Sequence, residues 1–251
     1  MTDTTPFSGP SPGPFSGRAV LVTGAAGGGI GEATARRFAR DGAEVIVTDS
    51  HELRCREVAE AIGARSITLD VGDRAAIDAA VSQAGRVDVL VNNAAVNVLG
   101  SVVDYDPADW DRVMDVDLHG CWYLAKRVLP QMIERRAGSI VNVSSVAGMV
   151  NAGREGPYAA AKAGLHSLTR TIAGEAGPFG VRCNAVAVGI VRTRFVERNL
   201  AGLAPEVERT PLRRFGEPDE IASVIAWLAS DEASFVTGAI INASGGWYMD
   251  R

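Results

Sequence analysis

Tyr158 and Lys162 are the residues of this sequence whose types and spacing most clearly suit chemistry. They stand four residues apart in an Ala-rich segment that should be helical, so both side chains project from one face. A free tyrosine titrates near pH ~10. An ammonium about 4 Å away, at an effective dielectric of about 20, would lower the pKa of that phenol by up to about three units. The pair therefore predicts a proton-transfer group that works near neutral pH, the alternative being an incidental polar pair on a helix.

Ser145 is the third candidate for this chemistry. It follows the apolar run Ile140–Val143, which predicts a buried strand, and it lies thirteen residues before Tyr158, so only the fold can bring the two together. Its hydroxyl could donate a hydrogen bond to the oxygen of a substrate carbonyl or alkoxide. Ser144 is the nearest competitor, although a serine in a loop after a strand is usually a turn former.

The order Ser145, Tyr158, Lys162 resembles the signature of the short-chain dehydrogenase/reductase family, and the resemblance extends from about residue 15 to residue 248. It implies hydride transfer between a nicotinamide cofactor and a secondary alcohol or ketone. In this reading Ser145 polarises the substrate oxygen, Tyr158 exchanges the proton, and Lys162 orients the cofactor ribose and lowers the pKa of the phenol. The resemblance also implies a homo-oligomer, either a tetramer or a dimer.

Asp117 occupies a position where this family usually carries an asparagine that holds a water beside the lysine. An aspartate there would favour the ammonium of Lys162 and weaken the positive field on Tyr158. We therefore predict that Asp117 belongs to the catalytic group and shifts its pH optimum. Six aspartates lie between residues 104 and 117, but most fall in the first turns of a predicted helix, where they suit its dipole, and no metal site is predicted.

A glycine-rich turn follows the first predicted strand and precedes a helix, which predicts a pyrophosphate site for a dinucleotide. Glycines let the turn tighten and let backbone amides approach the phosphates at the positive end of the helix. This loop is one residue longer than the family pattern, which leaves open whether Gly28 or Gly29 lies closest to the phosphates. The residues assigned to it are Gly24, Gly28, Gly29, Ile30 and Gly31.

Asp49 closes the second predicted strand, where a carboxylate accepts hydrogen bonds from the adenosine ribose hydroxyls. A 2′-phosphate at that position would face a like charge, and no arginine directly follows Asp49 to offset it. The predicted cofactor is therefore NAD rather than NADP.

The resemblance assigns further residues to the cofactor. Asp70 and Val71 would frame the adenine, Asn93 would line the site at the end of the fourth strand, and the Val191 backbone and Thr193 hydroxyl would hold the nicotinamide carboxamide. Asn92 is predicted to serve strand-end hydrogen bonding. Residues 192–215 would form a lid over the substrate.

Short apolar runs alternate with helical patterns along the chain, which predicts an α/β fold: a single domain with a doubly wound parallel sheet of the Rossmann type. Residues 1–17 contain four prolines and are predicted to form a disordered tail, with Phe15 the one candidate to dock on the domain, which spans 18–251. The predicted strands are 19–22, 44–48, 66–69, 87–91, 139–143, 181–186 and 239–241. The predicted helices are 30–41, 52–62, 73–84, 107–135, 157–176 and 218–229.

Composition narrows the function classes. A formal net charge of −5 with no basic run argues against a nucleic-acid partner. No apolar run reaches the ~18 residues of a membrane span, and no signal-peptide pattern opens the chain. We therefore expect a cytoplasmic location and no membrane partner. The three cysteines are widely spaced and predict reduced thiols.

The predicted function is that of an oxidoreductase that transfers a hydride between NAD and a small-molecule secondary alcohol or ketone, with Tyr158 as general acid/base. Two alternatives remain open at this point. One is a protein of this fold that binds the dinucleotide as a sensor or scaffold with little turnover, and the other is non-redox chemistry such as epimerisation. The longer glycine loop, Asp117, and Val188 in place of the family's proline favour the first alternative.

Overall fold

A computed structural model describes residues 13–150, 153–197 and 200–249 of the chain. It confirms the predicted fold: seven parallel strands form one sheet in the order β3-β2-β1-β4-β5-β6-β7. The strands begin and end within two residues of their predicted bounds, because their short Val- and Ile-rich runs are buried by helices on both faces. They are β1 Ala19–Val22, β2 Glu44–Asp49, β3 Arg65–Thr68, β4 Val89–Asn92, β5 Gly138–Ser145, β6 Val181–Val188 and β7 Ile240–Ala243.

Helices cover the two faces of the sheet and form two apolar layers. Helices α1, α2 and α9 pack on one face, and α3, α5 and α6 contribute to the layer on the other. The helices are α1 Ile30–Arg40, α2 Glu52–Ile62, α3 Arg74–Ala84, α4 Pro107–Met114, α5 Gly120–Arg135, α6 Gly156–Ala176, α7 Arg194–Glu197, α8 Leu200–Glu208 and α9 Pro218–Ala229. Their apolar residues recur at helical spacing, and the strand order reverses between β1 and β4, where folds of this class bind their ligands.

The long helix predicted over residues 107–135 is interrupted. A π-helical turn, Asp115–His119, separates α4 from α5 and carries Asp117 into the interior. The backbone comes close to the loop after β3 here, since a Cβ on Gly120 would lie 2.4 Å from the carbonyl oxygen of Val71. Single π turns within helices often occur at functional sites, and a periodicity argument from sequence does not reveal them.

The N-terminal segment differs from the prediction at residues 13–17. Phe15 is buried and meets the ring of Phe38 edge to face, with the ring centroids 4.7 Å apart. Its amide donates to the carbonyl of Asp41, and the Arg18 guanidinium lies 5.8 Å from the centre of its ring. Residues 13–17 therefore pack on the domain through Phe15, and the rest of the predicted tail, residues 1–12, lies outside the described part of the chain.

The predicted lid contains two short helices, α7 and α8, that the sequence reading did not identify. A bridge between Val191 and Gly216 closes the base of this segment, and the Leu212 amide donates to the carbonyl of Gly245. Among the helices in the described part of the chain, none is long and apolar enough to cross a membrane.

Candidate active site

Ser145 is the last residue of β5 and opens a single 3-10 turn, Val146–Gly148. Its Oγ accepts a hydrogen bond from the Ala147 amide at 3.1 Å, which fixes the side chain at the carboxyl end of the sheet. Gly148 then packs directly on α6, because a Cβ there would lie 2.7 Å from the carbonyl carbon of Lys162. This close approach brings Ser145 to the face of α6 that carries Tyr158 and Lys162.

The Ser144 hydroxyl points elsewhere. It lies 2.7 Å from Nε2 of His166 and 3.4 Å from the Lys162 carbonyl oxygen, and both Ser144 and His166 are buried. The structure thus separates the two neighbouring serines: Ser145 faces the phenol, and Ser144 ties β5 to α6.

Tyr158 and Lys162 share one face of α6, as their spacing predicts. The Lys162 ammonium lies 5.3 Å from the centre of the Tyr158 ring, donates to the Val143 carbonyl at 3.3 Å, and is almost completely buried. Its Nζ is also 3.1 Å from Oδ2 of Asp117, which is fully buried. A buried ammonium of this kind persists because a carboxylate and a carbonyl replace its lost hydration.

Charge and burial set the protonation states at this centre. Although burial opposes the charged form, the Asp117 and Tyr158 groups raise the pKa of the Lys162 ammonium, so it stays protonated. Burial raises the pKa of the Asp117 carboxyl, while Lys162 and the Val96 amide act in the opposite direction. That amide donates to Oδ1 of Asp117 at 2.8 Å, so the side chain also anchors the loop after β4.

The predicted lowering of the Tyr158 pKa is wrong for this structure. Lys162 lowers the pKa of the phenol, and so does a hydrogen bond with the Ser145 hydroxyl, but burial outweighs both and the pKa is raised. Asp117 and Glu155 raise it further through their negative charge. The charges of Lys162 and Asp117 were foreseen from the sequence, whereas the desolvation of the phenol, which is the largest effect, and the charge of Glu155 were not.

The glycine loop is built for close backbone contact. A Cβ on Gly31 would lie 2.4 Å from the Gly24 carbonyl oxygen and 2.4 Å from Nδ2 of Asn93, and that Nδ2 donates to the carbonyls of Thr23 and Gly24. Asn93 therefore holds the loop against the end of β4. The prediction that Asn92 serves strand-end bonding agrees with its 2.8 Å hydrogen bond to Asn142.

Of Gly28 and Gly29, only Gly29 lines the pocket. Gly28 adopts a φ of +67°, its amide donates to a carboxylate oxygen of Glu32 at 3.1 Å, and it lies outside the pocket lining. Gly29 lines the pocket instead and begins α1 without a side-chain cap. The side chain of Arg194, from the lid, lies against Gly28.

The carboxylates predicted for the adenosine end lie at the ends of adjacent strands. Asp49 accepts from the amides of Ala26 and His51, at 3.1 and 3.0 Å, and so joins the glycine loop to the end of β2. Asp70 accepts from the Gly72 amide at 2.9 Å.

One continuous pocket of about 1700 Å³ runs along the carboxyl ends of the strands. Most of the predicted site residues line it, whereas Gly28 does not and Asp117 lies buried behind Lys162. The predicted residues that line the pocket are Gly24, Gly29, Ile30, Gly31, Asp49, Asp70, Val71, Asn93, Ser145, Tyr158, Lys162, Val191 and Thr193.

The polar residues that line the pocket without having been predicted as site residues include Asn97 and Glu155. Asn97 lies in the loop after β4, and Glu155 is the residue before α6. Nδ2 of Asn97 donates to Oε1 of Glu155 at 2.9 Å. Glu155 lies only three residues before Tyr158, and this closeness in the chain could have identified it.

Comparison with known proteins decides the family. A family model described as enoyl-(acyl carrier protein) reductase matches residues 24–248, nearly the whole chain. A solved structure described as a short chain dehydrogenase/reductase family protein superposes with a TM-score of 0.89 at 38% identity, over 93% of this chain and 98% of the other. The chain belongs to the short-chain dehydrogenase/reductase family.

Two curated members of the short-chain dehydrogenase/reductase family illustrate how different its relatives are. The 3-oxoacyl-[acyl-carrier-protein] reductase FabG of Thermotoga maritima is 44% identical over 92% of this chain and 98% of its own length. The meso-2,3-butanediol dehydrogenase of Serratia marcescens is 38% identical over 92% of this chain and 95% of its own length.

The pocket residues fit the nicotinamide dinucleotide that this family uses. The N-terminus of α1, which has no side-chain cap, offers backbone amides to a pyrophosphate, and Gly24, Gly29 and Gly31 bring backbone without side chains to the pocket lining. Asp49 and Asp70 lie at one end of the pocket, and the Ser145, Tyr158 and Lys162 group lies beside β5 and α6.

Proposed function

We propose that the protein interconverts a secondary alcohol and a ketone with a nicotinamide dinucleotide. The observation that carries the proposal is the convergence of Ser145, Tyr158 and the buried Lys162 on a pocket that continues to an uncapped helix N-terminus. Bound there, the nicotinamide supplies the carbon that accepts or gives the hydride.

The protein's own residues align the substrate and move the proton. Ser145 donates to the substrate oxygen, and the Tyr158 hydroxyl exchanges a proton with that same oxygen. Because its raised pKa keeps the phenol protonated at neutral pH, Tyr158 is ready to donate a proton to a ketone. Alcohol oxidation requires the phenolate, so its rate should rise with pH as the rate of ketone reduction falls. Lys162 fixes the ring's electrostatic environment and is itself held by Asp117 and Val143.

For the cofactor we propose NAD, bound with its adenosine ribose at Asp49. A 2′-phosphate would meet the negative charge of Asp49, with a second carboxylate, Asp70, in the same pocket lining. We assign the pyrophosphate to Gly24, Gly29, Ile30 and Gly31. Asp70, Val71 and Asn93 line the adenine side, and Val191 and Thr193 hold the nicotinamide carboxamide. Homo-oligomerisation is proposed from family membership alone.

Substitution of Tyr158 by phenylalanine tests the function. Tyr158→Phe keeps the ring and removes the exchanging proton, so kcat for NAD-dependent alcohol oxidation should fall by about 10²- to 10⁴-fold. The dissociation constant for NADH, measured by fluorescence titration, should change by less than about threefold because the ring is retained. A panel of secondary alcohols and ketones, followed at the reduced-nicotinamide absorbance band, supplies the assay. Retained turnover in the variant would contradict the assignment.

The named relatives do not agree on a substrate, since one is described as an acyl-carrier-protein reductase and the other as a butanediol dehydrogenase. The pocket itself carries more information about the substrate than this pair does.

A further inference from the structure

Two polar side chains next to the catalytic group remain without a role in the proposed reaction. Asn97 and Glu155 come from different loops, are joined by a 2.9 Å hydrogen bond, and line the same pocket as Ser145 and Tyr158. Glu155 occupies the N-cap position of α6 but makes no side-chain capping bond, so its carboxylate serves the pocket rather than the helix.

The two loops are fixed to each other by hydrogen bonds to the backbone on either side of Glu155. The Tyr105 hydroxyl donates to the Arg154 carbonyl at 2.8 Å and accepts from the Gly156 amide at 3.0 Å. The Gly100 amide donates to the same Arg154 carbonyl at 2.9 Å. These bonds fix the backbone on both sides of Glu155, and the Asn97 hydrogen bond positions the carboxylate, so the pair is arranged before any ligand arrives, which favours selective recognition.

Asn97 and Glu155 together have more hydrogen-bond acceptor atoms than the hydrogen bond between them uses. Oδ1 of Asn97 is buried and accepts no hydrogen bond from the described residues, and the bond from Asn97 occupies only one of the two carboxylate oxygens of Glu155. A buried acceptor without a partner carries a desolvation cost that a ligand's donor would relieve. The lid residue Glu206 adds another carboxylate to the pocket lining.

The charge of Glu155 acts directly on the catalytic group. It lies three residues before Tyr158, directly before α6, and its negative charge contributes to the raised pKa of the phenol. Burial raises the pKa of Glu155 itself, with the Asn97 amide acting in the opposite direction. A ligand group that donates hydrogen bonds would be accepted here, and a carboxylate would be repelled.

We propose that Asn97 and Glu155 form a substrate subsite for a second hydrogen-bond donor, a hydroxyl or an ammonium, close to the reacting carbon. The substrate class is therefore a vicinal diol, hydroxyketone or amino alcohol and excludes a hydroxy acid. The inference rests on the proposed function, because that function identifies where the reacting carbon lies. It names substrate chemistry that the alcohol–ketone reaction leaves unspecified.

The test measures binding without turnover, because an alcohol and NADH cannot react with each other. Protein saturated with NADH is titrated with butan-2-ol, butane-2,3-diol, 1-aminopropan-2-ol and 3-hydroxybutyrate. The diol and the amino alcohol should bind at least about tenfold more tightly than butan-2-ol, and 3-hydroxybutyrate should bind more weakly than butan-2-ol. The diol and the amino alcohol, run as separate arms, distinguish a neutral donor from a charged one.

A variant without the negative charge of Glu155 completes the test. In Glu155→Gln the preference for the amino alcohol over butan-2-ol should fall to within about threefold, and 3-hydroxybutyrate should gain affinity. Glu57→Gln makes the same chemical change at an exposed position on α2 outside the pocket lining and should reproduce the wild-type pattern.

The substrate series in the wild-type protein decides the question even if a variant folds poorly. Equal affinity for all four compounds, or tightest binding of 3-hydroxybutyrate, would overturn the subsite. Neither result would contradict the proposed oxidoreduction, which is tested separately by the change in reduced-nicotinamide absorbance with any alcohol.

Discussion

At the scale of single residues, the proposed chemistry depends on opposing effects on the pKa of the Tyr158 phenol. Lys162 and Ser145 lower the pKa of Tyr158, whereas burial, Asp117 and Glu155 raise it. The lysine's contribution was readable from the sequence, because four residues on a helix bring the two groups together. The largest opposing contribution is burial of the phenol, which only the fold creates, and it decides the direction of the shift.

Asp117→Asn tests this balance. The substitution removes a negative charge that raises the pKa of Tyr158, so the pH midpoint for alcohol oxidation should move to lower pH. The amide oxygen of asparagine can still accept from Val96, but Lys162 loses its buried counter-ion, and the free energy of unfolding should fall by about 3 kcal/mol. The measurements are pH–rate profiles and urea unfolding.

A matched control for that experiment lies on the same π turn. Asp115 is exposed and pairs with His119, so Asp115→Asn should leave the midpoint where it is in the wild type. Superimposable pH–rate curves for wild type and Asp117→Asn would rule out a role of the Asp117 charge in catalysis.

The variant Asp49→Asn tests the proposed preference for NAD over NADP, again at the scale of one residue. The variant keeps the shape and the acceptor oxygen of the side chain but removes the charge that a 2′-phosphate would meet. The ratio of kcat/KM with NADP to kcat/KM with NAD should rise by about tenfold or more. Glu52→Gln, at an exposed position three residues further on, is the control for a general change in charge. An unchanged ratio would sink the proposed role of Asp49.

At the scale of elements, the sequence predicted the bounds of the strands and of most helices to within two residues. It could do so because the spacing of apolar residues in each element matches the face that the fold buries. It did not predict the π turn at Asp115–His119 or the packed segment at residues 13–17. Both involve long-range contacts, among them Gly120 against Val71 and Phe15 against Phe38 and Asp41. A local pattern does not contain such contacts.

Phe15→Ala tests whether the N-terminal segment belongs to the folded domain. Phe15 is 1% exposed and packs against the ring of Phe38, so its truncation should lower the free energy of unfolding by about 3 kcal/mol in urea titrations. Phe235→Ala is the control, because that ring is fully exposed and its loss should change stability by less than about 0.5 kcal/mol. An effect of Phe15→Ala as small as that of the control would show that the segment contributes nothing to the fold.

At the scale of the whole molecule, the sheet brings residues from distant parts of the chain to one edge. Asp49, Asn93, Ser145 and Val188 each lie at or just after the carboxyl end of a different strand, and the pocket follows that edge. The sequence sufficed to predict this arrangement, since parallel strands end on the same side. The proposed substrate subsite could not be predicted in the same way, because Asn97 and Glu155 lie in two loops that only the folded chain brings together.

The stability of the whole molecule should also depend on one buried histidine. Burial lowers the pKa of His166 to about 4, with Arg170 and Lys162 adding to the effect, while its Nε2 lies 2.7 Å from the Ser144 hydroxyl. An unfolded histidine titrates near pH ~6.5, so between that pH and about 4 the unfolded chain binds a proton that the folded protein does not. Stability is therefore fully present above pH ~6.5 and declines as the pH falls towards 4, by about 3 kcal/mol in total.

The variant His166→Gln should flatten this dependence, because glutamine can still pair with Ser144 but does not titrate. Urea unfolding at a series of pH values between 4 and 7 provides the measurement, and the slope of the free energy of unfolding against pH is the quantity compared. His119→Gln removes an exposed histidine and should leave the wild-type slope in place. If His166→Gln and wild type lose stability in parallel on acidification, the acid sensitivity lies in other groups, and the Ser144–His166 contact is then only a packing contact between β5 and α6.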